Sequence, residues 1–228
     1  AMKGVEAVLI PDNAKYEIYT KYGREIAGDQ IGYWFTFDTA EGEQVELQMG
    51  VSFVSCENAW ETLDAEQKGF AFDTVRSPAA QQWESDLSRI MVSGGTEKQK
   101  EVFYTALYHA LIHPNILNDV NGEYPLMENA GVGCVPEGEN RYTVFSLWDT
   151  YRNVHQLMTL AYPERQRDMV QSMIGKYKEW GGMPKRELYG RETFTMEGDP
   201  AIPVITDTWL KGIRNIDIDT AYEAFVKS

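Results

Sequence analysis

The chain has 228 residues, with 21 Lys and Arg against 35 Asp and Glu, a formal net charge of −14. That balance excludes a nucleic-acid or anionic-lipid surface as the main partner, because both need clustered basic side chains. A hydrophobic content of 43% excludes wholesale disorder, and no apolar run approaches the ~20 residues of a membrane span.

The N-terminal residues Ala1-Met2-Lys3-Gly4-Val5 lack the apolar core of a signal peptide, although a peptide already removed leaves no trace. The length fits one or two domains. Two cysteines, Cys56 and Cys134, rule out a disulfide framework and read as free thiols.

The first part of the chain reads as strands. Val5, Ala7 and Leu9, then Tyr16 and Ile18, suggest two of them. Ile31, Tyr33, Phe35 and Phe37 alternate with polar or small residues, and so do Val45, Leu47, Met49, Val51 and Phe53. The polar segment 38–43 between them suits the turn of an antiparallel hairpin.

From about Ser77 the period becomes helical. Pro78 suits a first turn, with Trp83, Leu87 and Ile90 behind it. Gly94-Gly95 breaks the chain. Thr96 and Gln99 then form a capping-box signature ahead of Phe103, Ala106, Leu107, Ala110 and Leu111. A polar segment over 115–143 reads as a long loop, of the kind that is usually functional or disordered.

A third helix is expected from Ser146 to Leu160. A fourth opens at Pro163, with Met169, Val170, Met173, Ile174 and Tyr177 on one face, and ends at Gly181-Gly182. A second polar loop covers 183–199. A fifth helix carries Ile202, Ile205, Trp209, Leu210 and Ile213, and a sixth begins near Asp217. The sequence stops inside that helical pattern without a capping residue, which reads as truncation.

Two segments concentrate polar and aromatic residues, 145–155 and 182–193. Aromatic rings beside carboxylates suit sugars, since a ring covers an apolar sugar face while carboxylates accept from hydroxyls. The plainer alternative keeps Asp149 as a first-turn residue answering the helix dipole, with Arg152 as its surface salt-bridge partner. His109 and His113 have the i, i+4 spacing of many zinc sites, but no third ligand is apparent. They read as core or helix-end residues. The 115–143 loop is acidic but lacks the spacing of an EF-hand.

These segments resemble the α-mannosidases of glycoside hydrolase family 92. The resemblance is carried by TVFSLWDTYRNVHQLMTLAYPERQRDMVQSM and GGMPKRELYGRETFTMEGDPAIPVITDTWLKGI. GVSFVSCENAWETLDAE and GGTEKQKEVFYTALYHALIHPNILNDVNGEY support it upstream.

The resemblance implies an α+β multidomain fold. Residues 1–75 would be the C-terminal part of an antiparallel β-sandwich, 76–95 a linker helix, and 96–228 roughly the first half of an (α/α)6 barrel. It implies a Ca2+-dependent, inverting exo-α-mannosidase acting on terminal, α-1,2-type linkages of a glycan, exported to the periplasm or secreted. Inversion needs an acid and a base about 6.5–9.5 Å apart.

The motifs that resemblance assigns to the general acid and bases are not found in this sequence. They are expected downstream, and Glu187 and Glu192 are not taken for that pair. The expected partners are the α-mannoside and the rest of the same polypeptide, and the chain alone is expected to be inactive.

What carries over is a substrate-binding set. Asp149, flanked by Trp148 and Arg152, is expected to bind mannose hydroxyls. Arg186, Glu187, Glu192 and Thr193 come from the second motif. Many members have Trp where this chain has Arg186. The guanidinium keeps a planar surface and adds charge, which suits an anionic mannoside; neutral drift at a rim position is the equal alternative. A natural non-catalytic carbohydrate-binding half-barrel is the competing reading.

Overall fold

The computed structural model describes residues 37–227. The chain divides into two compact units, Ala1–Glu46 and Leu47–Ser228. The strands expected around Val5, Tyr16 and Ile31 lie outside the described residues. In the first unit, residues 40–43 form a turn closed by Glu43 N–H on the Ala40 carbonyl at 3.1 Å.

Residues 45–53 form no strand, although their alternation is clean. Their expected hairpin partner lies outside the described residues apart from Phe37. Leu47, Met49 and Val51 are exposed. The segment is held by side chains instead, with Gln67 donating to the Met49 carbonyl and Gln48 to that of Gly69.

Helix α1 (Cys56–Glu66) was not anticipated from the sequence. Its signal is Ser55, whose hydroxyl accepts from the Asn58 N–H and caps the first turn. Helix α2 (Phe72–Leu87) starts five residues before the expected Ser77. Helix α3 (Glu97–Ile112) carries the anticipated Thr96–Gln99 capping box. His109 is exposed on α3, and His113 stands at its C-terminal end with Nδ1 on Asn115.

The expected 115–143 loop is more ordered than its composition suggests. It folds as two small ladders. Strand β1 (Asn115–Ile116) pairs with β4 (Tyr142–Thr143), and β2 (Glu123–Pro125) pairs with β3 (Val132–Cys134). Both cysteines are free.

The expected third helix is interrupted. Strand β5 (Phe145–Ser146) leads into α4 (Leu147–Thr150), and α5 (Val154–Ala161) follows after a break. Helix α6 (Pro163–Trp180) has Pro at its first position, where a missing N–H costs nothing, and ends on Gly181 at φ 91°. The expected second loop contains β6 (Arg186–Leu188) and β7 (Arg191–Glu192). Helices α7 (Ala201–Leu210) and α8 (Ile218–Lys227) complete the order.

The core of the second unit gathers around α6, which packs on α5, α7, α8 and β4. Its anticipated apolar face, including Val170, Met173 and Ile174, is fully buried. Several of its polar side chains are buried as well. Gln166, Asp168, Ser172 and Lys176 are all removed from solvent, and each has a specific polar partner. Ser172 Oγ accepts from the Tyr142 N–H at 2.8 Å, and Asp168 accepts from the Asn140 N–H at 3.0 Å. The ordered 115–143 segment thereby covers a helix face that would otherwise meet water.

Candidate active site

The two polar–aromatic segments meet in one three-stranded antiparallel sheet, β5–β6–β7. Phe145 pairs with Glu187 and Ser146 with Arg186; Glu187 pairs with Glu192 and Leu188 with Arg191. Side chains alternate across a pleated sheet. Phe145 and Glu187 therefore point into the core at 0% exposure. Ser146, Arg186, Leu188 and Arg191 share the other face.

The β6–β7 turn is the two-residue Tyr189-Gly190, at φ 50° and 83°. Two positive φ values give the primed turn whose twist matches a hairpin, and glycine at the second position is the residue that adopts it without cost. The Tyr189 ring stacks on Phe53, centroids 4.6 Å apart. Val144, just before β5, holds φ 63°. A β-branched residue is strained there, and such strain gathers at functional segments.

Asp149 lies at the exposed end of this sheet, in α4, and its Oδ2 accepts from Ser146 Oγ at 2.5 Å. The alternative Arg152–Asp149 salt bridge does not form. Arg152 instead stacks its guanidinium 5.3 Å from the Trp148 ring centre and 5.2 Å from that of Tyr151. Trp148 stays 43% exposed, so a ring face remains available beside a carboxylate.

Glu187 and Glu192 are both buried, with different duties. Glu187 Oε1 accepts from Thr143 Oγ1 at 2.9 Å and from the Gly190 N–H at 2.6 Å, and it faces Lys176 Nζ at 2.9 Å. Glu192 spends its carboxylate on backbone. Oε1 accepts from the N–H groups of Arg186, Thr193 and Phe194, and Oε2 from that of Lys185 at 2.9 Å. Thr193 donates its hydroxyl to the Arg186 carbonyl at 2.9 Å. These three residues fix the loop that presents Arg186. Arg186 stands across from Ser146 on the open face of the sheet, and Ser146 holds Asp149, which Trp148 and the stacked Arg152 flank in sequence.

A cavity of about 290 Å³ opens beside the loop, with Trp180, Lys185, Phe194 and Asp199 in its wall. The Trp180 and Phe194 rings meet edge to face at 5.8 Å, and Lys185 pairs with Asp199 at 3.1 Å. Sequence reasoning passed over Trp180, Phe194 and Asp199, and took Lys185 only as part of the 182–193 segment. The signal for Trp180 was its place at the end of α6, directly before Gly181-Gly182. A larger cavity, about 800 Å³, lies between α1 and the 116–122 and 135–140 segments and includes no residue of either motif.

Ca2+ takes 6–8 oxygen ligands. No group of three or more His, Cys, Asp or Glu that could hold a metal occurs among the described residues. Asp119 and Glu123 do converge in the 115–143 segment. Both accept from the Asn58 amide at 2.9 Å, and Asp119 also from Ser52 Oγ at 2.6 Å, so donors sit where a cation would.

The model of the glycosyl hydrolase family 92 catalytic domain matches residues 58–228. Among solved structures, the chain resembles the family GH92 α-mannosidase BT3965 from Bacteroides thetaiotaomicron, at 34% identity and a TM-score of 0.71. The match covers 76% of this chain and 23% of that one. It also resembles the family GH92 inverting mannosidase BT2199 from Bacteroides thetaiotaomicron VPI-5482, at 32% identity and a TM-score of 0.71, covering 77% of this chain and 24% of the other. The chain thus spans about a quarter of the length of these relatives. No curated protein matches it. Among the described residues, no helix is long and apolar enough to cross a membrane.

Proposed function

The chain belongs to glycosyl hydrolase family 92, and on that premise we propose that it is part of an inverting exo-α-mannosidase that removes terminal α-linked mannose, α-1,2-linked in particular, from glycans. The observation that carries the reading is the β5–β6 pairing of Ser146 with Arg186. It joins two segments 40 residues apart in sequence into one open face bearing Asp149. There Asp149 accepts from sugar hydroxyls, the Trp148 ring covers an apolar sugar face, and Arg152 steadies the ring. Arg186 meets an anionic substituent. Glu187, Glu192 and Thr193 support the face from beneath.

The reading places the chain at the end of a β-sandwich and the start of an (α/α)6 barrel. Its support is the succession of packed helices α5 to α8. Exposed apolar side chains on three of these helices, Leu160, Leu210, Tyr222 and Val226, support the rest of the polypeptide as the partner. The general acid and bases then come from outside this chain. The Ca2+ requirement and export to the periplasm or outside the cell rest on the resemblance alone, and no step here runs through Ca2+.

The test compares the 228-residue chain with the complete polypeptide that carries it, both on α-1,2-mannobiose with Ca2+ supplied. Turnover with inversion by the complete polypeptide, and none by the chain alone, is expected. Comparable turnover by both would overturn the placement of the acid and bases, and no turnover by the complete polypeptide would overturn the activity.

A further inference from the structure

The segment that carries Asp149 is tied to the protein interior by a line of hydrogen bonds that sugar binding does not itself use. Asp149 lies between two anchors. On one side its carboxylate holds Ser146 Oγ at 2.5 Å. On the other, Thr150 Oγ1 lies 3.1 Å from His155 Nε2 and 3.2 Å from the Ser146 carbonyl. His155 Nδ1 lies 3.0 Å from Gln166 Oε1 on α6. Gln166 Nε2 donates to Thr208 Oγ1 at 2.9 Å, and Thr208 donates to the Val204 carbonyl at 2.8 Å on α7. His155, Gln166 and Thr208 are at most 1% exposed.

The tautomer along this line follows from the assignment of the Gln166 amide. With the Gln166 amide assigned so that its nitrogen serves Thr208, its oxygen must accept, and His155 Nδ1 carries the proton. Nε2 is then an acceptor on a ring that is 1% exposed, and the Thr150 hydroxyl gives it its single proton, which leaves the 3.2 Å approach to the Ser146 carbonyl as a contact and not a hydrogen bond. A buried acceptor left unsatisfied costs more than a hydrogen bond gains. The Thr150 rotor is held accordingly, and with it the turn of α4 that contains Asp149.

We propose that Thr150 and His155 are positioning residues for Asp149: the Thr150 hydroxyl, directed by the neutral His155 ring, sets the orientation in which the Asp149 carboxylate meets the sugar. The inference rests on the reading of Asp149 as a sugar ligand. Neither residue touches the sugar, and both act through the backbone of one helical turn. An interaction shared by ground state and transition state raises KM with kcat unchanged when it is lost.

The experiment measures KM, kcat and melting temperature of the complete polypeptide on α-1,2-mannobiose. Thr150→Val keeps the shape and removes the hydroxyl, whereas Thr150→Ser keeps the hydroxyl. Thr150→Val should raise KM by about tenfold with little change in kcat, the upper range for one lost hydrogen bond. Thr150→Ser should stay near the parent. A second pair covers the case in which Thr150→Val does not fold. His155→Gln keeps a polar atom near the Nε2 position and should stay near the parent, while His155→Asn reaches only the Nδ1 position and should raise KM. Asp149→Ala separates the two levels of the argument. If it is impaired while Thr150→Val and His155→Asn keep the parent KM, or if Thr150→Ser fails as Thr150→Val does, the positioning role is overturned alone. If Asp149→Ala keeps the parent KM, the sugar-ligand reading falls and the positioning role with it.

Discussion

Lys176 Nζ lies 2.9 Å from Glu187 Oε1, and both side chains are at 0% exposure. This pair fastens the middle of α6 to the strand that presents Arg186. Burial pushes the Lys176 ammonium down to about 8, against the opposing pull of Glu187. Among the described residues Glu187 Oε2 has no hydrogen-bond partner, so the carboxylate depends on what surrounds Oε1.

Removing the cation alone leaves a buried, uncompensated carboxylate, whereas removing both charges while keeping an oxygen for Thr143 Oγ1 and the Gly190 N–H leaves no buried charge unpaired. Lys176→Met should therefore lower unfolding free energy by about 3–5 kcal/mol. The double variant Lys176→Met with Glu187→Gln, which keeps an acceptor for Thr143 and Gly190, should recover much of that loss. Urea unfolding of the four proteins in the cycle reads both numbers. A neutral Lys176→Met would show that the pair does not hold α6 to the sheet.

His155 makes stability depend on acidity in a defined window. Burial lowers its pKa from 6.5 to about 4, with the Gln166 hydrogen bond opposing the shift. Between those values the unfolded chain binds a proton that the folded chain refuses. The unfolded state thus holds more protons, and stability rises with pH. Read downward, the His155 contribution is intact above pH 6.5 and is lost as pH falls toward 4, at up to about 1.4 kcal/mol per pH unit. Thermal melts between pH 7 and 4 should show that slope, and His155→Gln should flatten it. An unchanged slope in the variant would assign the acid sensitivity to other groups.

The second unit was legible in the sequence where one element settles its own structure. The Thr96–Gln99 capping box, Pro163 and Gly181 act within a turn or two, and they mark helix ends where the structure has them. The strand over 45–53 was not, because alternation says which face is apolar but supplies no partner backbone. The burial of Lys176 and Gln166 was not legible for a related reason: their partners Glu187, His155 and Thr208 arrive from other elements of the chain. At the site, residue types singled out the two segments that the β5–β6 pairing joins, and the register then sorted their side chains. Arg186 and Glu187 are adjacent in sequence yet lie on opposite faces of β6. Such a division follows from strand pairing, which the loop-like composition of 183–199 hid.

Asp217 precedes α8 and caps it. Its Oδ1 accepts from the Thr220 N–H at 3.1 Å, and its Oδ2 accepts from Lys178 Nζ at 2.6 Å and from Thr220 Oγ1 at 2.8 Å. These bonds, that from Lys178 first, lower its pKa from 3.8 to about 2. The stabilisation is present above the unfolded value and is lost as pH falls toward 2. Asp217→Ala should cost about 1 kcal/mol at neutral pH through the cap. Asp217→Asn keeps an acceptor for the Thr220 N–H and should cost less. Equal losses from the two substitutions would place the effect in the charge on Lys178 rather than in the cap.

Arg186 is where the sequence reading left two alternatives open, and the sheet gives a means to decide between them. It shares the exposed face of β6 with Leu188 and stands across from Ser146, whose hydroxyl is bonded to Asp149. No carboxylate lies within ion-pair distance of its guanidinium among the described residues, although the chain carries 14 more acidic than basic side chains. A half-buried guanidinium without an anion is a forked donor suited to a phosphate, sulfate or carboxylate. Charge recognition predicts that the complete polypeptide will favour a mannoside bearing a phosphate next to the scissile bond over its neutral counterpart. It also predicts that Arg186→Gln will lower that preference by about tenfold, the loss of one charge-assisted hydrogen bond. The preference should shrink as salt is raised, since the Debye length falls from about 10 Å at 0.1 M to about 3 Å at 1 M. Arg186→Trp separates ring from charge: it keeps a planar surface and should retain turnover of the neutral mannoside while losing the preference. The measured quantity is the ratio of kcat/KM for the two substrates. A ratio that is the same in Arg186→Gln as in the parent decides for neutral drift at a rim position.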